Sequence, residues 1–482
     1  MNAKWFKGIL VTLVFFSKVQ VQANLSGENL KKPNIIYILV DDLGFGDVGF
    51  HGSNIPTPNI DALAEGGVKL ESLYTAPLCT PSRASLMTGR FPFRYGLQSG
   101  VITPGQHYGL PLNEKTVATA LKELGYKTYL VGKWHLGHAK KEYWPTRRGF
   151  DHYQGNLQSD LDYWDKERGG TLDWQKDEVF VYEEGYVTDL VSKKAKEIIE
   201  GQESGSPFFL YIAHPAVHFP YQAPEEAIAN FTHVEDEFRR IYSAMVSKVD
   251  ESVGIIVSAL EEKNLRDNTL IVFSSDNGGV SEYIPILAKT NGDMKPAPAI
   301  NAPLRGAKAS MYEGGIRVVS FANWPGKIPA WTESNTPIHM VDWFPTFVTL
   351  AGAEESKSES GLPIDGKNIW NILIGEESDT PHQDIPMNVE MHRGAIRSGN
   401  KKLIKHALLP SRVELYDLEE DPCETTDLAE KNPDEVKKLE KKLNEYAGQS
   451  VLSLFFREYI PYIQKDTKIS VLNKNKEQKS KE

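Results

Sequence analysis

The sequence predicts an α/β protein, with helices on both faces of a sheet. Two observations lead to this prediction: short apolar runs rich in β-branched residues, of the kind that form strands buried on both faces, and longer amphipathic segments between them. A third observation concerns function, because four of the apolar runs end directly in polar residues. In such sheets ligands bind beyond the carboxyl ends of the strands. The four polar ends together therefore predict an active site.

The predicted strands and helices alternate along the chain as such a sheet requires. NIIYILV at 34–40 is the first strand, and a helical pattern at 114–126 leads into the second, KTYLVG. PFFLYIA is the third strand, and an amphipathic helix at 238–263 leads into the fourth, NTLIVFSS. The residues at or just beyond the carboxyl ends are Asp41 and Asp42, Lys133 and His135, His214 and His218, and Asp276 and Asn277. Any one pair alone is better explained as a solvated loop, but four pairs favour a site.

The chain changes character after residue 384. Shorter strand and turn pieces appear there, GAIRSGNKKLIK and ELYDLEEDP, and a charged helix follows at 433–446. This pattern predicts a small antiparallel sheet with one helix packed on it. We therefore expect four segments: a signal peptide at 1–23, a catalytic domain at 24–383, a C-terminal subdomain at 384–464 and a disordered tail at 465–482.

The N-terminus indicates export. Lys4 and Lys7 precede the apolar run GILVTLVFF, and a more polar stretch ends at Ala23, which is the pattern of a cleaved signal peptide. The apolar run is too short to span a membrane, and no later segment is long enough. We expect a periplasmic, extracellular or lysosomal protein, depending on its source. Cleavage would remove three lysines and no acidic residue, taking the net charge from −11 to −14, which disfavours nucleic acid as a partner.

The polar ends divide into two chemical groups. The residues that offer only oxygen atoms, which suit a hard cation such as Ca²⁺ or Mg²⁺ rather than zinc, are Asp41, Asp42, Asp276 and Asn277. The cationic or proton-donating residues are Arg83, Lys133, His135 and His218. A cation held by carboxylates beside basic side chains describes a pocket for a small tetrahedral oxyanion ester.

The chain has two cysteines, Cys79 and Cys423. A disulfide between them, a zinc site and a nucleophile are alternatives that the residues alone leave open for Cys79. Two cysteines are too few for a disulfide framework. No second cysteine lies near either one in the sequence to complete a zinc site.

The stretch CTPSRASLMTG at 79–89 resembles the sulfatase signature Cys-x-Pro-Ser-Arg-x-x-x-x-Thr-Gly. Around it, DDLGFGDVGFHG, GKWHLG, PTRRGFD, SSDNGG and LRGAKASMYEGGIR resemble sulfatase motifs in the same order, covering 33–317. With GFHGSNIPTPNIDALA, PLCTPSR and GLQ, the set is most similar to the arylsulfatase B group, the N-acetylgalactosamine-4-sulfatases. The resemblance implies an alkaline-phosphatase-like α/β/α sandwich with a large mixed, mostly parallel sheet, and a smaller C-terminal α+β domain with an antiparallel sheet.

The resemblance also implies what Cys79 is for. A formylglycine-generating enzyme would convert it to formylglycine (3-oxoalanine), whose hydrate is the nucleophile. A serine in its place would be trapped as a sulfate ester, whereas a diol can expel sulfate from the sulfo-enzyme intermediate by collapsing to the aldehyde. Turnover therefore needs the second hydroxyl.

The same resemblance implies roles for the other residues. The metal ligands would be Asp41, Asp42, Asp276 and Asn277, with residue 79 beside the Ca²⁺ or Mg²⁺ ion. Arg83 would orient the diol, Asp276 would also take a proton from the attacking hydroxyl, and His135 would accept the proton of the second hydroxyl. The sulfate oxygens would be held by Lys133, His218 and Lys308. Either His218 or Lys308 would protonate the departing sugar oxygen.

The likeness to 4-sulfatases is the only guide to the substrate. It implies removal of a 4-O-sulfate from the non-reducing end of a glycan containing galactose or N-acetylgalactosamine, either a glycosaminoglycan or an algal galactan. The sugar would be read by the loops at 155–170 and 281–303 and by the C-terminal subdomain. The aromatic residues that would stack on a sugar ring, or else pack the loops, are Tyr153, Tyr163, Trp164 and Tyr283.

Two rival functions remain open at this point. A phosphoester hydrolase of the same fold is the nearest, although two-zinc enzymes of that kind need several histidine ligands and Asn277 is an oxygen donor. The other rival is a secreted carbohydrate-binding homologue with a dead site, which would keep the pocket and lose turnover if Cys79 were never converted.

Overall fold

A mixed sheet forms the centre of the protein, in a computed structural model that describes residues 32–203, 205–281, 297–353 and 362–458. In chain order the strands of the described residues are β1 Asn34–Val40, β2 Val68–Leu70, β3 Leu73–Tyr74, β4 Lys127–Gly132, β5 His152–Gly155, β6 Glu167–Arg168, β7 Thr171–Leu172, β8 Gln175–Lys176, β9 Val179–Phe180, β10 Phe208–His214, β11 Thr269–Ser275, β12 Ser320–Asn323, β13 Thr332–Ser334, β14 Ile338–His339, β15 Ile385–Val389, β16 Arg393–Ser398, β17 Lys401–His406 and β18 Arg412–Asp417. The α-helices are α1 Pro58–Glu65, α2 Cys79–Thr88, α3 Val117–Glu123, α4 Val187–Glu200, α5 Glu225–Ala229, α6 Glu237–Glu262, α7 Glu313–Ile316, α8 Trp343–Leu350, α9 Trp370–Leu373 and α10 Pro433–Ala447.

The main sheet has a parallel centre, to which antiparallel pairings join the outer strands on both sides. Its strand order is β13-β2-β12-β11-β1-β10-β4-β5-β8-β9. The central strands β11, β1, β10, β4 and β5 are parallel to one another, whereas β12, β8 and β9 run antiparallel to their neighbours. The predicted α/β class with a large mixed, mostly parallel sheet is confirmed.

The central strand β1 shows why the sheet is covered on both faces. Successive side chains of a strand point to opposite faces. Ile35, Tyr37 and Leu39 lie in the core that packs against α2, α3 and α8, and the alternate residues lie in the core that packs against α1, α4 and α6, namely Ile36, Ile38 and Val40. Each fully buried apolar side chain of this kind contributes roughly 1.5–3 kcal/mol. The result is an α/β/α sandwich.

The C-terminal part contains the predicted small antiparallel sheet. Its strand order is β15-β16-β17-β18, and every neighbouring pair is antiparallel. Leu439 and Leu443 of α10 pack on Ile396, Leu403 and Leu415 of the sheet. This arrangement of one helix on one antiparallel sheet is the one that the sequence predicts.

The bounds of the long elements agree closely with the predicted ones. The predicted strands at 34–40 and 127–132 coincide with β1 and β4. The predicted helix at 114–126 is shorter, because the Thr116 side chain caps α3 by accepting a hydrogen bond from Thr119 N at 3.1 Å. Helix α6 begins behind a similar cap, Asp236.

Some predictions fall outside the described residues, namely the signal peptide, the tail and Tyr283. All described residues belong to one compact unit that begins at Lys32, and the boundary at 383/384 stays a prediction. Within the described ranges, no helix combines the length and the apolar character that a membrane span requires.

Candidate active site

The four predicted polar ends meet at one edge of the main sheet. Because the central strands are parallel, their carboxyl ends lie side by side and bring together the residues that follow them. Of the residues at those ends, only His214 points elsewhere. The candidate residues are all buried, with 0 to 9% of their surface exposed: Asp41, Asp42, Cys79, Arg83, Lys133, His135, His218, Asp276, Asn277 and Lys308.

Helix α2 brings the signature segment to this edge. The helix begins at Cys79, and all of its residues are buried. Cys79 Sγ lies 3.3 Å from Lys308 Nζ and 3.5 Å from Asp41 Oδ1, and both cysteines of the chain are free thiols. Burial, followed by the charge of Asp41, raises the pKa of the Cys79 thiol well above its ordinary value. As an unmodified thiol, Cys79 is therefore a poor nucleophile.

Three carboxylates and this sulfur form one cluster. The ligand atoms of Asp41, Asp42, Cys79 and Asp276 all lie within 4.8 Å of one another. Asn277 adds an amide whose Oδ1 is buried and has no hydrogen-bond partner among the described residues. A buried oxygen without a partner is available to a cation. These oxygen donors fit a hard divalent cation such as Ca²⁺ or Mg²⁺.

Each carboxylate of the cluster contacts a cationic side chain. The pairs are Arg83 with Asp276 at 2.8 and 3.0 Å, Lys308 with Asp42 at 2.7 Å, and Lys133 with Asp41. Three positive charges thus balance three negative ones. A divalent cation would add two positive charges, and this excess would favour an anionic ligand.

The pKa values of the acidic groups follow from these contacts. Burial by itself would raise the pKa of Asp41 and of Asp42, but the neighbouring cations hold both below their ordinary value. At Asp276, burial and the nearby Asp41 charge outweigh the cations, so that its pKa is raised. The ammonium of Lys308 stays charged, because the surrounding anions raise its pKa well above the ordinary value despite its burial.

The two histidines of the site differ in the ring nitrogen that they leave free. His135 Nε2 lies 3.1 Å from Ile102 O, and since a carbonyl only accepts, Nε2 carries the proton. His135 Nδ1 then carries a free lone pair, and this atom has no hydrogen-bond partner among the described residues. His218 instead uses Nδ1, 2.7 Å from Phe219 O, and turns Nε2 toward Asp42 Oδ2 at 3.6 Å. Burial lowers the pKa of both rings, that of His135 strongly.

Comparison with known protein families identifies the family to which the chain belongs. Residues 33–353 match the family model described as Sulfatase, which is well over half of the chain. The chain belongs to the sulfatase family. Residues 307–449 also match a model described as the C-terminal part of N-sulphoglucosamine sulphohydrolase.

Named sulfatases resemble the chain over most of its length. Arylsulfatase J of Mus musculus is 38% identical over 367 residues, which cover 74% of this chain and 58% of that protein. N-acetylgalactosamine-6-sulfatase of Mus musculus is 34% identical, covering 72% of this chain and 68% of that protein. The chain thus spans less than two thirds of the length of arylsulfatase J.

Solved structures share the fold. The crystal structure of Ps i-CgsB superposes with a TM-score of 0.78 at 34% identity, covering 87% of this chain and 94% of that chain. The same protein in complex with k-i-k-neocarrahexaose gives a TM-score of 0.78 at 33% identity, covering 90% and 99%.

Several residues of the sulfatase motifs and loops lie away from the reacting centre. His214 is buried and contacts Ser252 Oγ at 3.1 Å. Arg317 forms an ion pair with Glu313 at 3.8 Å. Of the aromatic residues proposed to stack on sugar, Tyr153 and Tyr163 are buried in the protein, and Trp164 is 45% exposed.

A buried ion-pair network beneath the LRGAKASMYEGGIR segment of this sulfatase was not predicted. Lys402 Nζ on β17 lies 2.8 Å from Glu313 and 2.7 Å from Glu424, and the Tyr74 hydroxyl donates to Glu313 at 2.8 Å. The network ties the C-terminal sheet to the segment that carries Lys308. No local pattern indicates it, because Lys402 and Glu313 are 89 residues apart.

Proposed function

We propose that the protein is a sulfuric ester hydrolase that acts on a sulfated carbohydrate. The observation that carries this proposal is the position of Cys79, the first residue of the sulfatase signature, between a cluster of three carboxylates and the ammonium of Lys308. A nucleophile beside both a cation site and cationic side chains suits attack on an anionic ester.

The proposed mechanism begins with modification of Cys79. A formylglycine-generating enzyme would convert it to formylglycine, whose hydrate supplies the nucleophilic hydroxyl and the second hydroxyl that releases sulfate. The raised pKa of the thiol supports this, since an unmodified Cys79 would be largely protonated at neutral pH. We propose that Arg83, which lies one helical turn further along α2 and contacts Asp276, orients the diol.

A divalent cation would complete the site. We propose Ca²⁺, with Mg²⁺ as the alternative, held by Asp41, Asp42, Asp276 and Asn277; when bound it supplies positive charge that polarises the ester and favours an ionised nucleophile. Asp276 has a raised pKa, which suits its proposed second role as acceptor of the proton of the attacking hydroxyl.

The remaining roles belong to side chains around the sulfate. Lys133 and Lys308 already contact carboxylates of the cluster through their ammonium groups, and with His218 we propose that they hold the sulfate oxygens. Either His218 or Lys308 would protonate the departing sugar oxygen. The free lone pair on His135 Nδ1 suits it to accept the proton of the second hydroxyl as sulfate leaves.

The substrate that we propose is a glycan of galactose-configured sugars that carries a 4-O-sulfate at its non-reducing end. Two likenesses support such a sugar: the motifs resemble those of N-acetylgalactosamine-4-sulfatases, and Ps i-CgsB has been solved with k-i-k-neocarrahexaose. A 6-O-sulfate is the second candidate, because N-acetylgalactosamine-6-sulfatase is also a relative.

Defined oligosaccharides test this proposal. Oligosaccharides sulfated at position 2, 4 or 6 of the terminal or of an internal galactose unit, with a chromogenic aryl sulfate and its phosphate analogue, would be incubated with the exported protein. We expect sulfate release from the aryl sulfate and from the terminal 4-O position. Cleavage confined to another position or to internal units would contradict the substrate. Preference for the phosphate would contradict the sulfatase, and no turnover by protein whose Cys79 is converted would favour a dead carbohydrate-binding homologue.

We also propose that the protein is exported through the signal peptide at 1–23 and that the mature chain divides into 24–383 and 384–464, followed by the tail at 465–482. N-terminal sequencing of the mature protein, which we expect to begin at Asn24, tests the first point. Limited proteolysis with cleavage confined to the 383/384 boundary and the tail would support the second.

A further inference from the structure

A set of polar residues lies beside His135, on the side of the sheet that β5 forms. Because β5 pairs in parallel with β4, the residues that follow it emerge at the same edge as His135. The backbone N–H groups of Trp134 and His135 donate to Asn156 O and Leu157 O at 2.9 and 3.1 Å. The segment that follows β5 therefore adjoins the residue proposed to accept a proton during sulfate release.

The Asp173 side chain holds the backbone of this segment in place. The buried carboxylate of Asp173 accepts hydrogen bonds from the backbone N–H groups of Leu157 at 3.1 Å and of Gln158 at 2.8 Å. Burial is the main cause that raises the pKa of Asp173, to about 6. The side chains of the segment are thus presented on a fixed backbone, as a binding surface requires.

We refer to five residues together as the β5 wall: Asn156, Gln158, Asp160, Arg168 and His138. Four of them have a buried polar atom with no hydrogen-bond partner among the described residues: Asn156 Oδ1, Gln158 Oε1, Arg168 Nη1 and His138 Nδ1. Nearly all buried polar atoms in folded proteins have a partner in the protein or in ordered water. Four exceptions in one neighbourhood indicate a place for water or for a polar ligand.

Arg168 is positioned to be the centre of the wall. Its Nη2 lies 2.7 Å from Asp160 Oδ1, and the side chain is held on the hairpin of β6 and β7. Burial lowers the pKa of both His135 and His138, and the positive charge of Arg168 adds to this lowering, at His135 after the larger effects of Lys133 and Arg83.

The charges of the wall favour a neutral ligand over an anion. Asp160 and Arg168 form an ion pair, so that they cancel each other's charge. The bonds from Arg168 and from the Ser159 hydroxyl both go to Oδ1 of Asp160, which leaves Oδ2 as an acceptor. A fixed carboxylate beside guanidinium N–H groups and amides offers both acceptors and donors to adjacent hydroxyl groups.

We propose that the β5 wall binds the hydroxyl groups of the sugar that carries the scissile sulfate, with Arg168 donating and Asp160 accepting. This inference rests on the proposed function and deepens it, because it assigns recognition of the sugar to residues outside the sulfatase motifs. Arg168 is then a specificity-determining residue that acts on the glycan and not on the sulfate group.

Paired substrates test the inference. Arg168→Ala would be compared with the unchanged protein on a sulfated galactose oligosaccharide and on an aryl sulfate, which has no sugar hydroxyls. We expect kcat/KM on the oligosaccharide to fall by about 10- to 100-fold more than on the aryl sulfate, mostly through KM. Asp160→Asn should shift the same ratio in the same direction. The matched control is Arg147→Ala, which removes an exposed arginine that also forms an ion pair, with Glu178 at 2.7 Å; it should leave both rates unchanged.

Binding provides a readout that does not depend on turnover. In a Cys79→Ala background, the affinity for the oligosaccharide should fall by a similar factor when Arg168 is also replaced. An equal loss on both substrates, or an unchanged affinity, would overturn the role of the β5 wall while leaving the sulfatase proposal intact. If the unchanged protein hydrolyses neither substrate, the proposed function fails, and the binding experiment still decides whether Arg168 contacts the sugar.

Discussion

Cys79 is the residue on which the chemistry depends most directly. Cys79→Ala should abolish turnover, by at least about a thousandfold, because no other side chain in the cluster can supply the diol. Its melting temperature should stay within a few degrees of the original, since only one buried sulfur is lost. Cys423→Ala is the matched control and should retain full activity, because Cys423 lies outside the site and is only partly buried.

Mass spectrometry of the peptide that contains Cys79 gives an independent check. Active protein should carry an aldehyde in place of the thiol. Fully active material with only the unmodified thiol would contradict the mechanism.

The ion pair between His382 and Asp342 should make the free energy of unfolding depend on pH. Its Nε2 lies 2.8 and 3.0 Å from the two carboxylate oxygens of Asp342. Burial lowers the pKa of His382, but Asp342 raises it more, so the folded value lies above the ordinary 6.5. The ion pair therefore stabilises fully below the unfolded value of about 6.5, and its contribution is lost as the pH rises through the folded value.

Denaturant unfolding of the unchanged protein and of His382→Gln would measure this contribution. We expect the difference in free energy of unfolding to be larger at pH 5.5 than at pH 9. A difference that is constant with pH, or that grows as the pH rises, would show that the ion pair does not have this effect.

At the scale of elements, the buried network around Lys402 joins the C-terminal sheet to the segment that carries Lys308. Lys402→Met would leave Glu424 buried without its cation and Glu313 with only the more distant Arg317, at 3.8 Å, which costs about 3–5 kcal/mol. Because Glu313 belongs to the segment that carries Lys308, kcat should fall as well. Lys405→Met is the matched control on the same strand: Lys405 pairs with Glu440 in a partly exposed ion pair, so its loss should cost less than about 1 kcal/mol.

Thermal melting and steady-state kinetics on both variants would check this prediction. Equal effects of the two substitutions on stability would contradict it. An unchanged kcat in Lys402→Met would show that the network does not position Lys308.

The elements of the fold differ in how well they could be predicted. The strand β1 is recognisable because it is apolar throughout, as a strand buried on both faces must be. The outer strands β8 and β9 have two residues each and show no period that could be read from the sequence. Cap residues such as Thr116 set helix ends more sharply than the apolar pattern does.

The site residues also differ in how well they could be predicted from the sequence. Most residues of the reacting centre lie at strand ends or in the signature, so that position in the chain and chemistry both point to them; Lys308 is identified only by its motif, LRGAKASMYEGGIR. The role of Lys402 could not be predicted, because the fold brings its partners Glu313 and Glu424 from other segments. For Arg168 the sequence pointed only to its loop at 155–170 and not to the residue. For Tyr163 the sequence left open whether it stacks on sugar or packs its loop. Its hydroxyl donates to His218 O at 2.9 Å, across 55 residues, so Tyr163 supports the site rather than stacking on sugar.

At the scale of the whole molecule, we expect metal and stability to be linked. A cation that binds only the folded cluster stabilises the chain by about 2.7 kcal/mol at a concentration 100 times its Kd. Exhaustive chelation should therefore lower the melting temperature and abolish activity, and Ca²⁺ should restore both. Asp41→Asn should weaken this response. An unchanged rate in protein shown by elemental analysis to be free of metal would contradict the proposed role of the cation.

The burial of α2 limits when Cys79 can be modified. In the folded chain Cys79 is 1% exposed, and every residue of the helix around it is buried. An enzyme that acts on this thiol must therefore reach the segment before the sheet and its helices close over it. If Cys79 is converted as proposed, folding would compete with the conversion, and a molecule that folds first would stay unmodified and inactive. Protein refolded without modification should resist later conversion, whereas the isolated peptide at 79–89 should accept it.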